Sequence, residues 1–178
     1  MAYKMIVLDL DGTLTNNKKE ITPRTYEALM EAQKKGIVVV LASGRPTYGI
    51  MPLAKQLKLA EYGGYILAYN GGKIMDCKSG DTVFNQELCP DLVPMLYDEA
   101  MKAGVQILTY QGDGIAATKA DDEYVEHEAF INKMPVVEYS DFKNQVEYPI
   151  NKCLIVGDPE PLHKLERKLA AEREGEPS

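Results

Sequence analysis

Residues 37–42, Ile-Val-Val-Val-Leu-Ala, contain no polar side chain. A strand with one wet face alternates apolar and polar residues. A run that is apolar on both faces belongs inside a covered sheet, and such sheets are typically parallel. Parallel strands need long crossovers, usually helices, and the flanking sequence supplies them. Met5 to Leu10 reads as a short buried strand, and Tyr65 to Tyr69 as a third. Between the first two, Thr22 is placed to cap a helix, Pro23 suits its first turn and Gly36 its end. Tyr26, Leu29, Met30 and Gln33 follow the i, i+3, i+4, i+7 spacing, with only the last polar. A second helical pattern runs through Ile50, Leu53, Ala54 and Leu57, and Pro52 inside it predicts a kink or a late start. The β-α-β-α-β order predicts an α/β fold on a parallel sheet.

After Asn70-Gly71-Gly72 the pattern changes. Lys73 to Asn85 alternates around Lys-Ser-Gly-Asp and reads as a hairpin. A helix follows from about Pro90 to Ala103 and ends at Gly104, and Val105–Tyr110 and Ile115–Thr118 flank a Gln-Gly-Asp-Gly turn. Then come an acidic helical stretch, a short Pro-Val-Val-Glu-Tyr strand, a Lys-Cys-Leu-Ile-Val-Gly strand and a last helix capped by Asp158. Met95 and Met101 read as core residues of their helix. The change of pattern predicts two domains, 1–72 and 73–178.

A hydrophobic share of 45% is enough for packed cores. The net charge of −7 argues against a broad nucleic-acid or anionic-membrane surface. No apolar run approaches the about 20 residues of a membrane span, and the N-terminus does not read as a secretory signal. Cys77, Cys89 and Cys153 are odd in number and form no C-x-x-C pair, which predicts reduced thiols, a cytoplasmic protein and no zinc site. His127 and His163 sit among charged residues and read as surface groups.

Chemistry concentrates at strand ends. In open α/β sheets ligands bind outside the carboxyl ends of the strands. The first predicted strand ends on Asp9 and Asp11, followed by Gly12 and Thr13. Carboxylates at i and i+2 of an extended chain share a face and repel unless a proton or cation lies between them. A hard divalent ion such as Mg²⁺ suits oxygen donors of this kind together with a substrate phosphate. The second strand ends in Ala-Ser-Gly-Arg-Pro. Ser43 can hydrogen-bond a phosphoryl oxygen, Gly44 permits close backbone approach, and Arg45 adds charge or pins the loop. The following helix offers unpaired N–H groups.

Asp9-Leu10-Asp11-Gly12-Thr13, then Ser43-Gly44-Arg45, then Asn70-Gly71-Gly72, in that order along the chain, resemble the haloacid dehalogenase-like (HAD) superfamily. Within it the chain is similar to the Cof-like sugar-phosphatase branch, which inserts a large α/β (class IIB) cap after the third strand. The resemblance implies a HAD-type Rossmann-like parallel core with that cap. It implies a Mg²⁺-dependent phosphoric monoester hydrolase of small phosphorylated metabolites such as sugar phosphates. Asp9 would be the nucleophile, forming an aspartyl-phosphate, and Asp11 the acid/base. Mg²⁺ would take Asp9 and Asp11, the latter through its backbone carbonyl. Gly12, Thr13, Ser43, Gly44 and Arg45 would hold the phosphate, with Asn70 and Gly71 toward the substrate.

The family's later lysine and Gly-Asp-x-x-Asn-Asp-like motif are not in this chain, so the resemblance implies a C-terminally truncated core without its return segment. Two consequences are expected. An exposed edge on the first strand should favour homo-oligomers. The alternative function is a catalytically incomplete fragment or phosphate-binding domain. A response-regulator receiver fits less well, because the third strand ends in Tyr69-Asn70-Gly71 with no phosphoacceptor Asp.

Overall fold

The computed structural model of the chain describes residues 3–174. They form two compact units, one ending at Gln86 and the other starting at Glu87. In the first, β1 (Met5–Asp9), α1 (Pro23–Lys34), β2 (Val38–Ala42), α2 (Thr47–Gln56), the short α3 (Leu59–Tyr62) and β3 (Tyr65–Ala68) follow in turn. β1, β2 and β3 are parallel, with β2 in the middle. Its residues Val39, Val40 and Leu41 are almost wholly buried, as a strand apolar on both faces requires. Leu10, Leu41, Ile50, Leu57, Leu59 and Ile66 form the centre of the core beneath the sheet ends. Each such side chain contributes roughly 1.5–3 kcal/mol by burial.

The helix punctuation acts as the sequence predicts. Thr22 Oγ1 accepts from the Thr25 N–H, Pro23 opens α1, and Gly36 takes a positive φ just beyond it. Gln33 occupies an apolar position with its Nε2 donating to the Leu57 carbonyl at 2.9 Å, which offsets part of the cost of its burial, while its Oε1 is buried without a partner. α2 begins at Thr47 and runs through Pro52 rather than starting late. Its buried face, Gly49, Ile50 and Ala54, spans the proline and ties both halves to the core.

The hairpin expected over 73–85 forms, and it joins the first sheet. β4 (Lys73–Asp76) and β5 (Thr82–Asn85) extend the first sheet, giving the order β1-β2-β3-β4-β5. β4 pairs antiparallel with β3, Ala68 opposite Lys73, so the compact unit runs past Gly72 to Gln86. The edge of β3 left open by the parallel strands takes the returning chain, which no local pattern reveals. The hairpin turn is closed by Asp76, whose Oδ1 accepts from Lys78 and Ser79, and by Gly80 at φ 80°.

In the second unit α4 (Leu92–Ala103), β6 (Gln106–Gln111), β7 (Gly114–Ala117), α5 (Glu123–Asn132), β8 (Val136–Glu138), α6 (Phe142–Gln145), β9 (Cys153–Val156) and α7 (Pro159–Glu174) build around a sheet of order β8-β7-β6-β9. Val93, Ala100, Ile107, Phe142 and Leu165 pack into one cluster, with Tyr97 stacked on Phe142. Met95 and Met101, expected in the core, are instead more than a third exposed. α4 turns its Val93–Ala100 face inward, and these two methionines fall off that face. Among the described residues no helix is long and apolar enough to cross a membrane.

Candidate active site

The register of the parallel strands builds the site. Asp9, the last residue of β1, stands opposite Ala42, the last of β2, and Ala42 stands opposite Leu67 near the end of β3. Three strand ends are therefore level, and their next residues form one rim. Asp9, Ser43, Gly44, Asn70 and Gly71 line a cleft of about 310 Å³ there. Sequence spacing could place each of these at a strand end, but only the register brings them together.

The turn after β1 is held from below. Leu10 and Leu14 plunge into the core, and Thr15 is buried with both its N–H and its Oγ1 donating to the Leu10 carbonyl at 2.9 Å. The Leu14 N–H donates to the Asp9 carbonyl. Between these anchors Gly12 adopts φ +83°, a left-handed conformation in which a Cβ would be strained, and Asp11 is lifted to the surface. The amides of Gly12 and Thr13 donate inside the turn, to the carbonyls of Thr15 at 3.2 Å and Leu10 at 3.4 Å.

Arg45 is directed at Asp11. Its Nη2 donates to Asp11 Oδ1 at 2.6 Å and its Nε to Oδ2 at 3.1 Å, a two-point grip that suits a planar guanidinium. The guanidinium side chain is only 10% exposed, so this charge depends on its partner. Lys19 adds a second cation, with Nζ 2.8 Å from Oδ1. Partial burial pushes the Asp11 carboxyl up, but the hydrogen bonds and charges of Arg45 and Lys19 outweigh it and hold the group below the usual carboxylate range. Stability drawn from this pairing is present above the unfolded-state value and is lost as pH falls through the lowered one.

Ser43 and the end of β3 are zipped together. Ser43 Oγ accepts from the Arg45 N–H at 3.2 Å, the Ser43 N–H donates to Leu67, and Asn70 and Tyr69 donate their N–H groups to the carbonyls of Ser43 and Arg45. Tyr69, Asn70 and Gly71 all have positive φ, at 53°, 59° and 93°. Left-handed conformation in consecutive non-glycine residues costs free energy and occurs here at the cleft wall. A Cβ on Gly44 would lie 3.1 Å from Asn70 Oδ1, so glycine is what lets the Asn70 amide close over this loop.

The site thus gathers Asp9, Ser43, Gly44, Asn70 and Gly71 in the cleft, with Asp11 and Arg45 joined beside it. Lys19 is the group that sequence reasoning missed. It stands in a Lys-Lys-Glu run that reads as solvated surface, and nothing local marks it. Burial pushes the Cys77 thiol up to about 11 and the Cys153 thiol up to about 12, so neither carries much thiolate at neutral pH. Among the described residues no three His, Cys, Asp or Glu side chains cluster as a metal cage.

An acidic nucleophile candidate at the end of a parallel strand, level with a Ser-Gly-Arg loop, defines a class of phosphate-handling α/β proteins. The family profile of the haloacid dehalogenase-like hydrolases matches residues 6–176, and the chain belongs to that family. YxeH of Bacillus subtilis is 29% identical over 168 residues, 92% of this chain and 61% of its own length. The 5-amino-6-(5-phospho-D-ribitylamino)uracil phosphatase YcsE of the same organism is 34% identical over 95 residues, 53% of this chain and 36% of its own. The crystal structure of a haloacid dehalogenase-like hydrolase from Bacteroides thetaiotaomicron superposes with a TM-score of 0.90 at 49% identity, covering 98% of this chain and 65% of that one. The chain therefore spans about three fifths of the length of YxeH and somewhat less than two thirds of the Bacteroides protein.

Proposed function

We propose that this chain carries the nucleophile half of a Mg²⁺-dependent phosphatase acting on small phosphorylated metabolites such as sugar phosphates. The observation that carries the reading is the level register of β1, β2 and β3. It sets the Asp9 carboxylate in one cleft with Ser43, Gly44 and Asn70. The name of YcsE, a phosphatase of a small phosphorylated metabolite, supports the substrate class.

An Asp9 oxygen attacks phosphorus, and the bond to the leaving oxygen breaks with its electron pair. That oxygen takes a proton from the protonated form of Asp11, a minor form at neutral pH because Arg45 and Lys19 favour the carboxylate, leaving an aspartyl-phosphate. Asp11 then accepts a proton from water, whose oxygen attacks phosphorus and frees the Asp9 carboxylate with inorganic phosphate. Splitting the displacement this way lowers each barrier. Ser43 Oγ and the Gly44 backbone hold the non-reacting oxygens, and Arg45 acts on the acid/base rather than on phosphate. Asn70 and Gly71 form the wall toward the rest of the substrate.

The donors fit a hard divalent ion. The Asp9 carboxylate and the Asp11 carbonyl are oxygen ligands on one turn, and Mg²⁺ is commonly held by one or two carboxylates with water and phosphate. Bound there, Mg²⁺ would neutralise charge on the phosphoryl group. The free thiols fit a reducing, cytoplasmic setting. In this reading the second compact unit, which starts at Glu87, would serve as the cap.

The direct test is a crystal soak with Mg²⁺ and beryllium fluoride or vanadate. The anion is expected on Asp9 beside Ser43 and Gly44. Density elsewhere, or none, overturns the reading. Anion binding there without Mg²⁺-stimulated phosphate release would favour a phosphate-binding domain instead.

Self-association is a second expectation of the chain. β1 is an edge of the sheet, and Met5 and Val7 on it are 50% and 56% exposed. Unpaired apolar strand edges recruit other strands. Sedimentation velocity should show dimers or larger species growing with concentration, and a stable monomer at high concentration would refute this.

A further inference from the structure

The proposed reaction gives Lys19 no part, yet its ammonium lies on the acid/base carboxylate. The turn that carries it is tightly built. Asn16 Oδ1 accepts from the N–H groups of Lys18 and Glu20 at 2.8 and 3.1 Å, the Asn16 N–H donates to the Glu20 carbonyl, and the Lys19 N–H donates to the Asn16 carbonyl. This closed Asx turn holds Lys19 at φ 62°. From there Nζ reaches Asp11 Oδ1 at 2.8 Å. The two oxygens of Asp11 are consequently unequal. Oδ1 receives both Arg45 Nη2 at 2.6 Å and Lys19 Nζ, whereas Oδ2 receives Arg45 Nε at 3.1 Å.

We propose, on the basis of the phosphatase reading, that Lys19 is a positioning residue for Asp11: it anchors Oδ1 and leaves Oδ2 as the oxygen that exchanges the proton with the leaving group. The pair is 43% and 39% exposed, and exposed ion pairs contribute little to folding. What the contact supplies is orientation. The two-point grip fixes the carboxylate relative to the guanidinium, but the pair can still move together with the long Arg45 side chain. A second cation, brought in on a different loop, fixes which oxygen is outermost. Proton transfer in the transition state depends on such alignment.

Lys19→Gly separates this role from a structural one. Glycine suits the positive φ, so the variant should melt no lower than the parent, while the ammonium is gone. Proton donation matters most for a poor leaving group. The variant should therefore lose roughly 10-fold in kcat/KM on a simple alkyl phosphate and much less on p-nitrophenyl phosphate, a fraction of the full worth of general acid catalysis. Lys19→Arg should restore most of the loss. In crystals of Lys19→Gly the Asp11 carboxylate should take a second orientation beside the one in the parent. Equal losses on both esters overturn the proposal, and so does an Asp11 carboxylate that stays in a single unchanged orientation. Should the parent chain release no phosphate in an Asp9-dependent way, the phosphatase reading fails, and the carboxylate orientation alone decides the role of Lys19.

Discussion

Asp9→Asn should abolish Mg²⁺-stimulated phosphate release while leaving the fold intact. The amide has nearly the shape of the carboxylate, and Asp9 lies exposed at a strand end, so no buried partner is orphaned. The chemistry is another matter. An amide oxygen is a poor nucleophile, and the amide loses the charge that would help hold the metal. Loss of a covalent nucleophile typically removes most of an enzyme's rate, about 10⁴-fold or more. Asp11→Asn should be the milder lesion, about 10²–10⁴-fold, the usual worth of general acid–base catalysis. It also leaves the largely buried Arg45 without its carboxylate. The measurement is phosphate release against Mg²⁺ concentration, with circular dichroism to confirm folding. Unchanged turnover in the Asp9 variant would falsify an aspartyl-phosphate mechanism.

Gly64→Ala should cause the largest loss of stability in the first unit. Gly64 is buried just ahead of β3, and a Cβ there would lie 2.5 Å from the Val39 carbonyl oxygen and 3.0 Å from Leu59. The nearest atom is backbone of the central strand, so it cannot swing away as a flexible side chain would. β3 would have to move off β2, and the Ser43 and Asn70 loops hang from that pairing. Overpacking of this kind costs about 3 kcal/mol, equivalent to a midpoint lower by roughly 6–12 °C. Gly12→Ala makes the control. Nothing lies within 4 Å of its would-be Cβ, and only its φ of +83° is strained. It should lose about 1–2 kcal/mol. Thermal melts of the two variants, with Gly64→Ala the less stable, check the comparison. A Gly64→Ala melt matching the parent would mean that β2 and β3 part more easily than their packing indicates.

The core strands and the location of the acidic pair were legible in the sequence because both depend on local chemistry. An all-apolar six-residue run has one place to go, and β2 took it. Thr22, Pro23 and Gly36 set the ends of α1 by capping and backbone preference alone. Asp9 ends β1 and Ser43 follows β2, so their placement at carboxyl ends needed only the alternation of strands and helices, although β1, which reads as a buried strand, lies at the sheet edge with Met5 and Val7 exposed. The resemblance drawn from these motifs agreed with the family to which the chain belongs.

What tertiary structure decided lay beyond any local pattern. The hairpin 73–85 alternates like any other hairpin, and only the open edge of β3 determined that it would join the first sheet. Met95 and Met101 are apolar, but the orientation of α4 is set by the sheet it covers. Arg45 reads from its neighbours as adding charge or pinning the loop, and its long side chain turns to Asp11 because the register of β1 on β2 brings that carboxylate alongside. Lys19 shows the same limit most plainly. Its charge was in the sequence, but its target is fixed by an Asx turn and a left-handed backbone that carry the ammonium back to the strand end. Residue types and short-range periodicity determined which elements form and what chemistry sits at their ends. Long-range pairing and loop geometry decided which of those groups touch.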